Sequence, residues 1–131
     1  MLSNRSISRR VRRLAPALLI VAAACGPFRR GSDPAPALLY FTNESLYQAD
    51  VFITTAGLGA RRIGTVMAGR TDTLVVPTDL ATRGGTLNVV ARLFARSDVP
   101  RTGPVSILPG ERYQLRLSSD ARLISFLPAG Q

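Results

Sequence analysis

The sequence has no histidine, tryptophan or lysine, and it has one cysteine among 131 residues. Without histidine, the chain has no imidazole base and no imidazole metal ligand, and a single thiol lacks the partners of a zinc, haem or cysteine-nucleophile site. One cysteine also excludes a disulfide within the chain. We therefore expect no metal site, no cofactor and no catalytic residue, and we predict that the protein is not an enzyme.

The charge is unevenly distributed. All 17 basic residues are arginine, the acidic residues number 8, and the formal net charge is +9. Five of the arginines lie in the first 13 residues, which contain no acid, so the rest of the chain carries 12 − 8 = +4. This modest charge suits solubility and weak attraction to anionic surfaces, but it is not typical of nucleic-acid binding. No nucleic-acid partner is expected.

Residues 9–25 read RRVRRLAPALLIVAAAC, an arginine cluster followed by an apolar run and the cysteine. The apolar run, residues 14–24, would form a helix about 16 Å long at ~1.5 Å per residue, roughly half of a ~30 Å hydrocarbon core. It is too short to cross a bilayer comfortably. A basic start, a short apolar run and small residues at its end are typical of a cleavable secretory signal.

The end of this run, Val21 to Cys25 (VAAAC), resembles the lipobox of bacterial lipoproteins, with Ala22 where leucine is commonest. The resemblance implies cleavage between Ala24 and Cys25 and attachment of acyl chains, palmitate among them, to Cys25. Gly26 in place of aspartate resembles lipoproteins of the outer membrane. The expected location is therefore the bacterial cell envelope, lipid-anchored in the outer membrane and facing the periplasm.

Two alternatives to the lipid anchor remain open, an ordinary cleaved signal peptide and an uncleaved membrane anchor. The export route is open as well, because Ser8-Arg9-Arg10 also resembles the start of a twin-arginine signal.

Composition divides the whole sequence into three expected segments. Residues 1–24 are the signal peptide, residues 25–36, rich in Gly, Pro and charge, are a flexible tether, and residues 37–131 are the folded domain.

The hydrophobic pattern from residue 37 onward alternates with period two, and turn residues recur every eight to twelve positions. This pattern predicts an all-β fold, a small antiparallel β-sandwich of about seven or eight strands. We expect the third and fourth strands to form a hairpin and residues 78–82 to form a helical turn that crosses between the sheets. The predicted strands are 38–42, 50–55, 61–67, 71–76, 86–96, 104–108, 112–118 and 122–127.

Alternate residues of these strands are expected to face the core. The domain resembles immunoglobulin-like and transthyretin-like sandwiches in size and strand spacing, without the paired cysteines and tryptophan of true immunoglobulin domains. That resemblance concerns architecture alone and implies no function. The predicted core residues are Leu74, Val76, Leu87, Val89, Ala91, Leu93, Tyr113, Leu115 and Leu117.

Four arginines are candidates for an anion-binding site. Arg92 and Arg96 lie four residues apart on one predicted strand, and Arg112 and Arg116 lie four apart on another. If the two strands were neighbours, the four guanidinium groups would form a patch able to bind phosphate or carboxylate. The alternative is that these arginines merely cover the solvent face of a sheet.

A second alternative function is hydrolysis of envelope glycans by a pair of carboxylates. The acids are spread singly along the chain, and most lie in or beside predicted turns, where carboxylates usually bond the local backbone. We therefore favour a membrane-anchored, non-enzymatic binding or scaffolding domain. Its expected partners are the membrane, through the lipid anchor, and either an envelope protein or an anionic surface polymer.

Overall fold

Seven strands and one short helix make up the part of the chain described by the computed structural model, residues 31, 33–81 and 85–128. All of them lie in the second of the chain's two units, Ser32–Gln131. In the described residues, no helix has the length and apolar character needed to cross a membrane. The elements are β1 (Ala37–Asn43), β2 (Ala49–Thr55), β3 (Gly59–Val66), β4 (Thr71–Val76), α1 (Thr78–Ala81), β5 (Leu87–Leu93), β6 (Arg112–Leu117) and β7 (Ile124–Pro128).

The strands form two sheets, which confirms the predicted all-β fold. One sheet has four strands in the order β4-β1-β6-β7, and the other has three in the order β3-β2-β5. Buried side chains alternate with partly or fully exposed ones along most strands, as expected when each sheet buries only one face. The two buried faces together form one hydrophobic cluster, and all nine predicted core residues belong to it.

Three details of the prediction are wrong. Residues 104–108 contribute only an isolated bridge at Val105, so the described strands number seven. β1 and β6 pair in parallel, although every other strand pair is antiparallel. The parallel pair is possible because the long intervening chain, including the whole three-stranded sheet, serves as the crossover that parallel neighbours require.

The predicted hairpin of the third and fourth strands also does not form. β3 lies at the edge of the three-stranded sheet and β4 at the edge of the four-stranded sheet, so residues 67–70 carry the chain from one sheet to the other. This arch lets Val66 and Leu74 both point into the core. The predicted crossing is present, since α1 joins β4 of one sheet to β5 of the other. Arg61 of β3 forms a 3.0 Å ion pair with Asp79 of α1.

Asn43, at the end of β1, fastens this arch. Its side chain is fully buried, and its amide nitrogen donates to the carbonyl oxygens of Tyr47 (2.7 Å), Val66 (3.1 Å) and Met67 (3.3 Å). Its Oδ1 accepts hydrogen bonds from the backbone N–H (3.0 Å) and the hydroxyl (2.6 Å) of Ser45. Because the carbonyls at the end of β3 are bonded to this side chain, they are satisfied without a hairpin partner.

The edge of β5 is partly covered by residues 100–105. Val90 bridges Arg101, and Leu87 bridges Val105. Between them, Thr102 is buried, and its Oγ1 accepts the backbone N–H of Val89 at 2.9 Å. This segment satisfies backbone groups that would otherwise form an open sheet edge.

Candidate functional site

The four arginines predicted to bind an anion are divided between the two sheets. Cys25 and Ala24, the lipid-attachment and cleavage positions, lie outside the described residues. Arg92 lies on β5 and Arg96 just after it, in the three-stranded sheet, whereas Arg112 and Arg116 lie on β6, in the four-stranded sheet. The condition for a single patch of four arginines, that their two strands be neighbours, is therefore not met.

Two of these four arginines are engaged locally. Arg96 forms an ion pair with Asp98, and its guanidinium carbon lies 5.1 Å from the centre of the Tyr47 ring. The hydrogen bond that Arg96 donates to Asp98, followed by the Tyr47 contact, raises the pKa of Arg96. Arg116 places Nε 3.3 Å from the Glu44 carboxylate. Both arginines thus face a nearby acid that offsets their charge.

A different group of arginines shares the outer face of the three-stranded sheet. The strand register places Arg62 of β3 opposite Phe52 of β2, Phe52 opposite Val90 of β5, and Val90 opposite Arg101. Directly opposite residues share a face, so these four form one row across the sheet, about 14 Å long at ~4.8 Å per strand. Arg92 joins the row from the side, with its guanidinium carbon 5.0 Å from the centre of the Phe52 ring.

One acid, Asp50, stands on this face beside the row. Its Oδ1 accepts hydrogen bonds from Thr65 Oγ1 (2.6 Å) and from the Arg62 guanidinium (2.8 Å). The Thr65 hydroxyl first, and the Arg62 charge and hydrogen bond after it, lower the pKa of Asp50, while partial burial opposes them. Asp50 therefore stays ionised at neutral pH and offsets the charge of Arg62.

A β-bulge explains why Arg62 lies on this face. The register between β2 and β3 shifts at Val51/Phe52, so that Val51 faces Gly64 and Phe52 faces Arg62, with Ile63 as the extra residue. With strict alternation, Thr65 and Arg62 would point to opposite faces. The bulge brings both beside Asp50. Sequence alternation gives no signal of the bulge, and Arg101 was equally hidden because it lies in a segment predicted as a loop.

The outer face of the four-stranded sheet carries a shallow depression of about 220 Å³. Tyr40 of β1 lies beside Gln114 of β6 in the register, and the hydroxyls of Thr42 and Thr71 lie 3.0 Å apart. Arg116 lines one side. Apart from Arg116, these polar groups are neutral, so the depression offers hydrogen bonds but no acid or base of its own.

Five carboxylates of the described residues are held by nearby hydrogen-bonding partners or arginines. Four of them are ion-paired with arginine. Asp120 instead accepts hydrogen bonds from the Ser118 hydroxyl and the Arg122 backbone N–H, which lower its pKa. A glycosidase acid needs a raised pKa, so neither Asp50 nor Asp120 suits that role. The four ion pairs are Arg61–Asp79, Arg62–Asp50, Arg96–Asp98 and Arg116–Glu44.

Metal binding is also without a candidate in this part of the chain. Within residues 33–81 and 85–128, no three side chains of the histidine, cysteine, aspartate and glutamate types come together as ligands.

No protein-family model matches the sequence, and no curated protein was found to be similar to it.

Proposed function

We propose that this protein is a bacterial envelope lipoprotein whose β-sandwich serves as a non-enzymatic binding or scaffolding domain. The observation that carries the proposal is the position of Cys25. It directly follows a basic and apolar signal-like segment and is the only cysteine of the chain. It also precedes a Gly- and Pro-rich stretch that leads into the first strand at Ala37.

The fold supports a binding role in two ways. Four acids of the described residues are ion-paired with arginine. The outer faces of the sheets also present arginine, hydroxyl, amide and aromatic groups, which recognise ligands by hydrogen bonding and stacking. The domain is also small. A lipid anchor confines such a domain close to its partners, so that a weak contact is effective.

The mass of the N-terminal peptide from protein extracted out of membranes tests the anchor. We expect a peptide that begins at Cys25 and carries acyl chains. The Cys25→Ser variant should lack this mass and should leave the membrane fraction. A peptide that begins at Met1, or an unacylated Cys25 thiol, would overturn the proposal.

Location requires a separate measurement on the same protein. Membrane fractions separated by density should contain the protein in the outer-membrane fraction, as the glycine after Cys25 suggests. Protease added to intact cells should leave the protein uncut if the domain faces the periplasm. Recovery with the inner membrane would retain the lipoprotein proposal and reject the outer-membrane location.

A further inference from the structure

We infer that the outer face of the three-stranded sheet binds a linear polymer that carries phosphate or carboxylate groups. Arg92 and Arg101 bind the polymer, and Phe52 lies between these two arginines and Arg62. This inference deepens the proposed function, since it names a ligand class and a face for the binding domain. It does not use the four-arginine patch predicted from the sequence. Only Arg92 is common to both sets.

Charge is the first argument for this ligand. The face presents the three arginines Arg62, Arg92 and Arg101 and the single acid Asp50, which is bonded to Arg62. In the described part of the chain, neither Arg92 nor Arg101 forms an ion pair. Asp50 lies opposite Arg92 in the strand register, but its carboxylate is bonded to Arg62. Three arginines and one acid leave a net positive charge on the face, which makes it complementary to an anion.

Spacing is the second argument. Arg101 lies opposite Val90, and Arg92 is two residues from Val90 on β5. The two arginines are therefore diagonal neighbours, with their Cα atoms about 7–8 Å apart. A small anion would bind to only one of the two guanidinium groups. A polymer with repeated anionic groups can bind to both, because each planar guanidinium can hold a phosphate or carboxylate bidentately.

The contact with Phe52 prepares Arg92 for this role. Its guanidinium carbon lies 5.0 Å from the ring centre, within the range of a cation–π interaction. The ring attracts the charge but accepts no hydrogen bond in the guanidinium plane, so the N–H donors remain available to a ligand. Holding the side chain against the ring also reduces the conformational entropy that binding would otherwise cost.

The arginine row runs across the strands of one sheet face, from Arg62 through Phe52 and Val90 to Arg101. A polymer that lies beside the domain can follow the arginine row across the strands.

Binding of fluorescent inorganic polyphosphate to the full-length protein in non-ionic detergent tests this inference. Polygalacturonate is the carboxylate probe, dextran is the neutral control, and vesicles with and without phosphatidylglycerol test the bilayer. We expect Arg92→Gln and Arg101→Gln each to weaken polyanion binding about tenfold, since each removes a charge-assisted hydrogen-bonding group. The salt dependence of the affinity should become shallower in the double variant.

Matched variants separate this site from general attraction by positive charge. Arg112→Gln and Arg70→Gln remove exposed arginines elsewhere on the domain and should change the affinity less than twofold. Asp50→Asn should tighten binding several-fold, because it releases Arg62 for the ligand. Thermal unfolding of each variant checks that the fold is retained.

Three outcomes would overturn the inference. They are an equal loss of affinity for every arginine variant, binding to anionic vesicles without binding to either polyanion, and no binding of any probe. None of them affects the mass of the Cys25 peptide. Failure of this site is therefore distinguishable from failure of the proposed lipid anchor.

Discussion

Replacing Asn43 by alanine should destabilise the domain more than any single change at a sheet surface. The side chain is fully buried at an inward-facing position of β1, next to Leu117 in the register. It donates to three carbonyl oxygens and accepts two hydrogen bonds from Ser45. Because two amide protons are shared among the three carbonyls, these contacts amount to about four hydrogen bonds.

The magnitude follows from that number. A hydrogen bond within a protein contributes about 1 kcal/mol net, and a buried group left without a partner costs about 1–3 kcal/mol. The Asn43→Ala variant should therefore lose roughly 3–5 kcal/mol of the free energy of unfolding. For a domain of this size, that loss corresponds to a fall in Tm of at least ~12 °C, and it is a large part of the 5–15 kcal/mol typical of native proteins.

Urea and thermal unfolding, both followed by circular dichroism, measure the effect. Asn88→Ala is the control, since Asn88 is half-buried on the outer face of β5 and has no side-chain hydrogen bond within the described ranges. It should change the free energy of unfolding by less than about 1 kcal/mol. Hydrogen exchange should also show faster exchange of the Ser45 amide in the Asn43→Ala variant. Equal losses in the two variants would refute the assignment of Asn43 as the fastening point of the arch.

Three further variants test the packing and electrostatics. A Cβ at Gly64 would lie 2.6 Å from Leu74 Cδ2, so Gly64→Ala should lower the free energy of unfolding by about 1–3 kcal/mol, as measured by thermal unfolding. In a Leu74→Ala background the same change should cause no loss, and an unchanged loss there would reject the steric explanation. Thr102→Val should cost about 1–3 kcal/mol in urea unfolding, because a β5 amide loses its acceptor, whereas Thr102→Ser should stay near wild type. The lowered pKa of Asp50 adds stability above its unfolded pKa near 3.8 that is lost as the pH falls through the folded value. Asp50→Asn should therefore lose more stability at pH 7 than at low pH, and the same loss at both pH values, or in the exposed Asp72→Asn control, would contradict this.

The sequence predicted the core well because burial follows alternation. Tyr113, Leu115 and Leu117 occupy every second position of β6, and all three are buried. The pattern requires only that one face of each strand be covered, which holds whichever strands are neighbours. Prediction of the fold class and of the core residues succeeded for this reason.

The order of the strands in the sheets cannot be predicted from the alternation of hydrophobic residues. The short turn at residues 68–70 looked like a hairpin, since consecutive strands commonly pair. The arch forms instead because Asn43, which is distant in sequence, bonds the carbonyls at the end of β3. An asparagine in a strand pattern does not reveal which carbonyls it will reach.

The arginine face was missed for a related reason. Its composition depends on the bulge at Ile63 and on the bridge between Val90 and Arg101, both of which are set by tertiary pairing. Sequence reasoning points to Arg92 only because it lies on the same predicted strand, 86–96, as Arg96. The residues that share its surface come from β2, from β3 and from a predicted loop.

The central position of β1 has a mechanical consequence. The chain enters the sandwich at Ala37, and β1 lies between β4 and β6, paired with both along nearly its whole length. A force that pulls on Ala37 along the axis of β1 loads both rows of hydrogen bonds in shear and does not peel them apart one at a time. Withdrawal of the strand would also have to drag Leu39 and Phe41 out of the core. A domain held by its first strand in this way resists extraction by tension at its N-terminal end.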